Sequence, residues 1–161
     1  MENKTNLKEL KKKYAVFKDK YGLAEFSELN MFFDIEELED CETDFFLRRI
    51  RKIISERIAG YLRFFEVILN PSNAPIFFFK LIKKLEEKDK EVLGRVYEKL
   101  GNLEIEIVRL DLDYSEEKEA KFIKEVFDVF LEIKGNVLQM VDKMVNGGNE
   151  TSKKEKGSYF G

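Results

Sequence analysis

The sequence contains no histidine. That absence removes the commonest general base at neutral pH, the Ser-His-Asp triad, and every zinc site that needs imidazole. Di-iron chemistry of the ferritin type is excluded with it, because paired Glu-x-x-His helices cannot be assembled. There is one cysteine, Cys41, so no internal disulfide can form and a reducing cytoplasm is the expected location. Cys41 lies among acids that disfavour a thiolate, which argues against a nucleophile. Prolines number only 2 and glycines 9, while 38% of residues are charged. Such a chain suits long helices with solvated faces better than a turn-rich sandwich. No apolar run approaches the ~20 residues needed to cross a bilayer, and Met1-Glu2-Asn3-Lys4 opens no apolar signal region, so no membrane partner is expected. The 29 basic and 32 acidic residues nearly cancel, leaving no global field to recruit nucleic acid or an anionic surface. Gly94, Gly101 and Gly135 stand singly inside helical patterns and form no phosphate-cradling loop. No cofactor is expected.

What the chain does have is hydrophobic residues, 43% of the total, at helical spacing. Leu7, Leu10, Tyr14, Phe17 and Tyr21 recur in steps of three and four and predict a helix over about 5–21, closed by Gly22. Ser27 is placed to cap a short helix through Phe33. Asp34 to Asp44 then carries seven acids and no base, which reads as a linker or a ragged helix start. From Thr43, the apolar steps Phe46, Ile50, Ile53, Ile54, Tyr61, Phe65 and Ile68 predict a helix of ~26 residues, ~39 Å long. Asn70-Pro71 must stop it. Asn73 can cap the next helix, with Pro75 in its first turn, to about Leu85. Leu103-Glu104-Ile105-Glu106-Ile107 alternates as a strand would. The wider series Leu93, Val96, Leu100, Leu103, Ile107, Leu110 and Tyr114 steps by three and four, however, and predicts one helix over about 88–113. Ser115 caps a last helix to about 145, which Gly147-Gly148 ends. The expected fold is all-α, a single antiparallel bundle of five to six helices over 1–146, followed by a disordered polar tail over 147–161.

Three features carry functional expectations. The basic run Arg48, Arg49, Arg51 and Lys52, with Arg57 beyond it, is a nucleic-acid patch if it lies on one open helix face. The plainer reading is pairing with the acids just before it, at Glu39, Asp40, Glu42 and Asp44. Phe77, Phe78 and Phe79 sweep ~300° around a helix axis, so burying all three takes neighbours on several sides. Complete burial is the plainer reading, and an exposed ring would mark a surface for a partner. Tyr159 and Phe160 put two aromatics on the lysine-bearing tail, the pattern of a segment that folds onto a partner. Asp111 and Asp113, with Glu104 and Glu106, form the densest acid set for a divalent metal. Residues two apart on a helix diverge, so solvated acids are the simpler account.

The phrases Phe26-Ser27-Glu28-Leu29-Asn30, Leu69-Asn70-Pro71-Ser72-Asn73-Ala74-Pro75 and Leu110-Asp111-Leu112-Asp113-Tyr114-Ser115-Glu116-Glu117-Lys118 resemble a family of small archaeal all-helical proteins of unknown function. The resemblance spans most of residues 14–134 and brings no activity with it. The expected function is a non-enzymatic protein-interaction or scaffold role, with another protein as the partner. The alternatives are a nucleic-acid-associated accessory protein working through the arginine run and, further off, a carboxylate enzyme using a divalent metal.

Overall fold

The computed structural model describes residues 2–38 and 44–147. It is all-α: among the described residues there are six α-helices and no strand. They are α1 (Glu2–Tyr21), α2 (Phe26–Phe33), α3 (Phe46–Leu69), α4 (Ile76–Ile82), α5 (Glu87–Leu112) and α6 (Glu116–Asn146), with short 3-10 turns at Ile35–Leu38 and Pro71–Asn73. The chain divides into two compact units. One comprises residues 1–60 and 101–131, the other residues 61–100 and 132–161.

In the first unit, α3 lines the core with Leu47, Ile50, Ile54 and Ile58 at steps of three and four, all but sealed from solvent. The facing side chains are Leu103, Ile107 and Leu110 of α5, and Phe122, Ile123, Val126 and Phe130 of α6. Leu10 and Tyr14 of α1 and Leu29 and Phe33 of α2 are buried in the same unit. Tyr14 is wholly buried yet polar at its tip, and its hydroxyl donates to the Ala24 carbonyl at 2.6 Å, as a buried phenol must find an acceptor. Burial, with the negative charges of Glu25 and Glu28, holds that phenol well above its ordinary pKa, so it stays a donor. In the second unit, Leu62, Phe65 and Ile68 of α3 are buried, as are Ile82 of α4, Leu93 and Val96 of α5, and Met140 and Met144 of α6.

Local chemistry explains the helix ends, and it differs from sequence expectation at several of them. Gly22 closes α1 in the left-handed region, at φ 67°, and its N–H donates to the Lys18 carbonyl at 2.7 Å, the usual glycine termination. Ser27 does not cap α2. The preceding residue in the capping position is Glu25, whose N–H donates to Glu28 Oε2 at 3.2 Å, so a glutamate pair does the work assigned to a hydroxyl. Asp34, at φ 52°, ends that helix with its N–H on the Asn30 carbonyl. The long helix begins at Phe46 rather than Thr43, directly after Phe45 at φ 59°; Thr43 lies outside the described residues.

Asn73 caps nothing either, because it sits within the 3-10 turn and Ala74 is extended (ψ 143°). Proline at 75 forces this, since its ring crowds the residue before it out of the helical region. The helix therefore starts after Pro75, and it ends at Ile82 instead of Leu85. Lys84 and Leu85 donate to carbonyls only three residues back, a tightened turn rather than a continued helix. The strand-like stretch is helical throughout: Leu103 and Ile107 face the core while Ile105 is 62% exposed, as period 3.6 demands and period 2 forbids. Ser115 sits at the cap of α6 as expected, its Oγ accepting the Lys118 N–H at 3.5 Å and its carbonyl the Glu119 N–H at 2.9 Å, and the acidic first turn Glu116, Glu117 and Glu119 adds to it.

Gly22→Ala should destabilise the protein by about 1–2 kcal/mol in urea melts, because a Cβ is unfavourable at positive φ and the unfolded chain does not share the strain.

Candidate interaction surface

The arginine run does not form a single surface. Its helix turns Arg51 inward, where it is 1% exposed and meets Glu119, itself 0% exposed. Arg51 Nε donates to Glu119 Oε2 at 2.8 Å and its Nη2 to Oε1 at 3.2 Å, while the same Nη2 lies 2.8 Å from Asp111 Oδ1. Burial alone would lower the guanidinium pKa, but the bonds to Glu119 and Asp111 outweigh it and hold the pKa above its ordinary value. Arg51 therefore cannot contact a phosphate, which corrects its place in a nucleic-acid patch.

Arg48 donates to the Asp111 carbonyl at 3.3 Å and lies over the Tyr114 ring at 5.7 Å, and Arg57 pairs with Asp34. Arg49 and Lys52 remain exposed. Charge pairing does occur, but with Asp34, Asp111 and Glu119; of the acids expected as partners, Glu39, Asp40 and Glu42 lie outside the described residues. Nor do the acids of α5 converge. Asp111 serves Arg51, Asp113 pairs with Lys118, and Glu106 lies 3.5 Å from Arg109. Among the described residues, no three Asp, Glu or Cys side chains come together as a metal site would require.

The aromatic run behaves differently from its plainer reading. Only Phe78 turns toward the second unit's core, half-buried, with its ring 6.4 Å from that of Phe64, and Ile82 one turn later is buried. Phe77 is 68% exposed, Phe79 37% and Ile76 80%. A helix of seven residues with one inward line cannot bury three consecutive rings. Lys80 and Lys83 flank these side chains, exposed and without an ion pair among the described residues. Ile76 belongs to the patch but was not singled out in the sequence; its position directly after Pro75, at the helix start, was the available signal.

Two other features compare less well. Ile105, Val108 and Leu112 form an exposed stripe on α5 within the first unit, but it holds no aromatic ring, the side-chain type enriched among residues that dominate binding energy. In the second unit a groove of about 110 Å³ between α5 and α6 is lined by Leu93, Val96, Val137 and Met140 and bordered by Asp89 and Lys143. Lys143 Nζ donates to Asp89 Oδ1 at 2.6 Å. That bond is the main reason the Asp89 pKa is depressed and the Lys143 pKa raised. Tyr159 and Phe160 lie outside the described residues.

The class defined by this fold and surface is an all-α protein with an exposed aromatic corner. No protein-family model, no curated protein and no solved structure matches the chain.

Two measurements probe these contacts. Glu119→Ala strands a buried guanidinium and should cost about 3–5 kcal/mol in urea melts, whereas the double change Arg51→Met with Glu119→Leu should be neutral or stabilising, by up to about 4 kcal/mol. The depressed Asp89 pKa adds stability that is fully present at neutral pH and fades as pH falls through the folded-state value. Asp89→Asn should therefore lower stability at pH 7 and flatten its decline in acid, read from thermal melts across pH.

Proposed function

We propose that this chain acts by binding another protein, without catalysis, and that the outer face of α4 is the surface that does so. The observation that carries the reading is the exposure of Ile76, Phe77 and Phe79 on one short helix. Aromatic and branched side chains each yield about 1.5–3 kcal/mol when a partner covers them, and aromatics are over-represented among the residues that dominate binding energy. Lys80 and Lys83 at the border favour a partner with acids around an apolar anchor. The absence of histidine and of gathered carboxylates among the described residues supports a binding role over an enzymatic one.

A nucleic-acid role has less support, since Arg51 is internal and Arg48 and Arg57 have acidic neighbours. No described helix is long and apolar enough to cross a membrane, and a cytoplasmic location fits the single cysteine. The resemblance to small archaeal helical proteins accords with a role that needs no active site.

Affinity capture with the full chain tests the reading. Phe77→Ser with Phe79→Ser should weaken a captured partner by about 100-fold, equivalent to roughly 2.7 kcal/mol, with helicity unchanged. Undiminished capture by that variant, or loss of it only on replacing Arg49 and Lys52, would overturn the assignment.

A further inference from the structure

The chain leaves α6 beside the turn that follows α4. Gly147 donates its N–H to the Lys143 carbonyl at 2.9 Å. A Cβ built on Gly147 would lie 2.5 Å from that carbonyl oxygen and 3.6 Å from Lys84 Cβ. Only glycine fits there, and the last described residue is thereby set against the turn that continues α4. Lys84 lies in the tightened turn directly after α4, so the exit point is at the C-terminal end of the short helix that carries Phe77.

Residues 148–161 follow, and Tyr159 and Phe160 are their only large apolar side chains. The eleven residues between Gly147 and Tyr159 are Gly, Asn, Glu, Thr, Ser and Lys. Such a spacer spans about 40 Å fully drawn out and about 20 Å as a flexible coil. The whole of α4 is only ~10 Å long. The aromatic pair is thus held within easy reach of Ile76, Phe77 and Phe79, at an effective concentration on the order of millimolar.

We propose that Tyr159 and Phe160 fold back within the same chain and cover Ile76 and Phe77, neighbours on the exposed side of α4. The contact is apolar: the spacer carries three lysines and two glutamates, which offer Lys80 and Lys83 no net attraction, so the cover is weak and exchangeable. If the same face binds a protein partner, as proposed above, the tail is a competitor that the partner displaces. That regulatory consequence rests on the earlier reading, whereas the docking itself does not.

The chain has no tryptophan, so Phe160→Trp introduces a single indole at the docking end, excited selectively over the six tyrosines at the red edge of the absorption. In the full chain its emission should be blue-shifted and its quenching by acrylamide several-fold weaker than in a free peptide of residues 148–161 carrying the same change. The shift should persist on dilution and vanish in Phe77→Ser with Phe79→Ser, or in Ile76→Ser alone, all outward-facing changes whose folding is checked by circular dichroism. Emission equal to the free peptide's overturns the proposal. So does a shift lost on dilution, which would place the tail on a second copy, or one that survives the α4 changes, which would place it elsewhere.

Partner capture separates this failure from that of the functional reading. Tyr159→Ser with Phe160→Ser should strengthen capture if both hold. A lost shift with undiminished capture in the α4 variant leaves docking intact and removes the partner surface. No shift with lost capture does the reverse.

Discussion

One guanidinium, sealed from water, organises the first unit. Arg51 of α3 holds Glu119 of α6 through two bonds and Asp111 of α5 through a third contact, so three helices converge on a single charge. Desolvating Arg51 and Glu119 costs several kcal/mol per ion, which their mutual attraction offsets only when the geometry is good. The energetic return over an apolar pair is therefore small. What the arrangement supplies is register, since a slide of one turn along α3 or α6 would leave both ions buried and alone. The apolar steps on either side, Leu47 and Ile54 on α3, Phe122 and Ile123 on α6, are held in phase by that requirement.

The same pairing decides what kind of surface the protein offers. Arg48 is drawn toward Asp111 and Tyr114, and Arg57 toward Asp34, so most of the basic run is spent on internal acids. On α4, a helix of seven residues hangs from a proline corner and presents one inward line of side chains. Proline sets the corner, shortness limits the burial, and exposed rings result.

Much of the fold was legible in the residues, for reasons that can be named. Where apolar residues recur every three or four positions, burial and period point the same way, and the spans of α1, α3, α5 and α6 follow. Gly22 and Asn70-Pro71 mark ends because φ above zero and a missing donor are intrinsic to those residue types. Residues 103–113 show how a longer window outweighs local alternation, since Leu103, Ile107 and Leu110 keep the buried helical line while Ile105, Val108 and Leu112 fall outside it. The caps were less legible. Ser27 and Asn73 have the right chemistry, but Glu25 with Glu28 in one case and the crowding of Ala74 by Pro75 in the other set the start.

The sequence by itself determined the class of fold and the chemistry that cannot occur, because periodicity, glycine, proline and the missing imidazole are properties of single residues and their spacing. Only the tertiary structure decided which charges meet and which rings stay out. A charge cannot show in sequence whether its partner will come from four residues away or from sixty-eight, as Glu119 does for Arg51. A run of three phenylalanines likewise carries no information about how many sides of its helix will be covered. Both depend on the packing of distant segments, which decides whether a charge is sealed in an ion pair and whether a ring is covered.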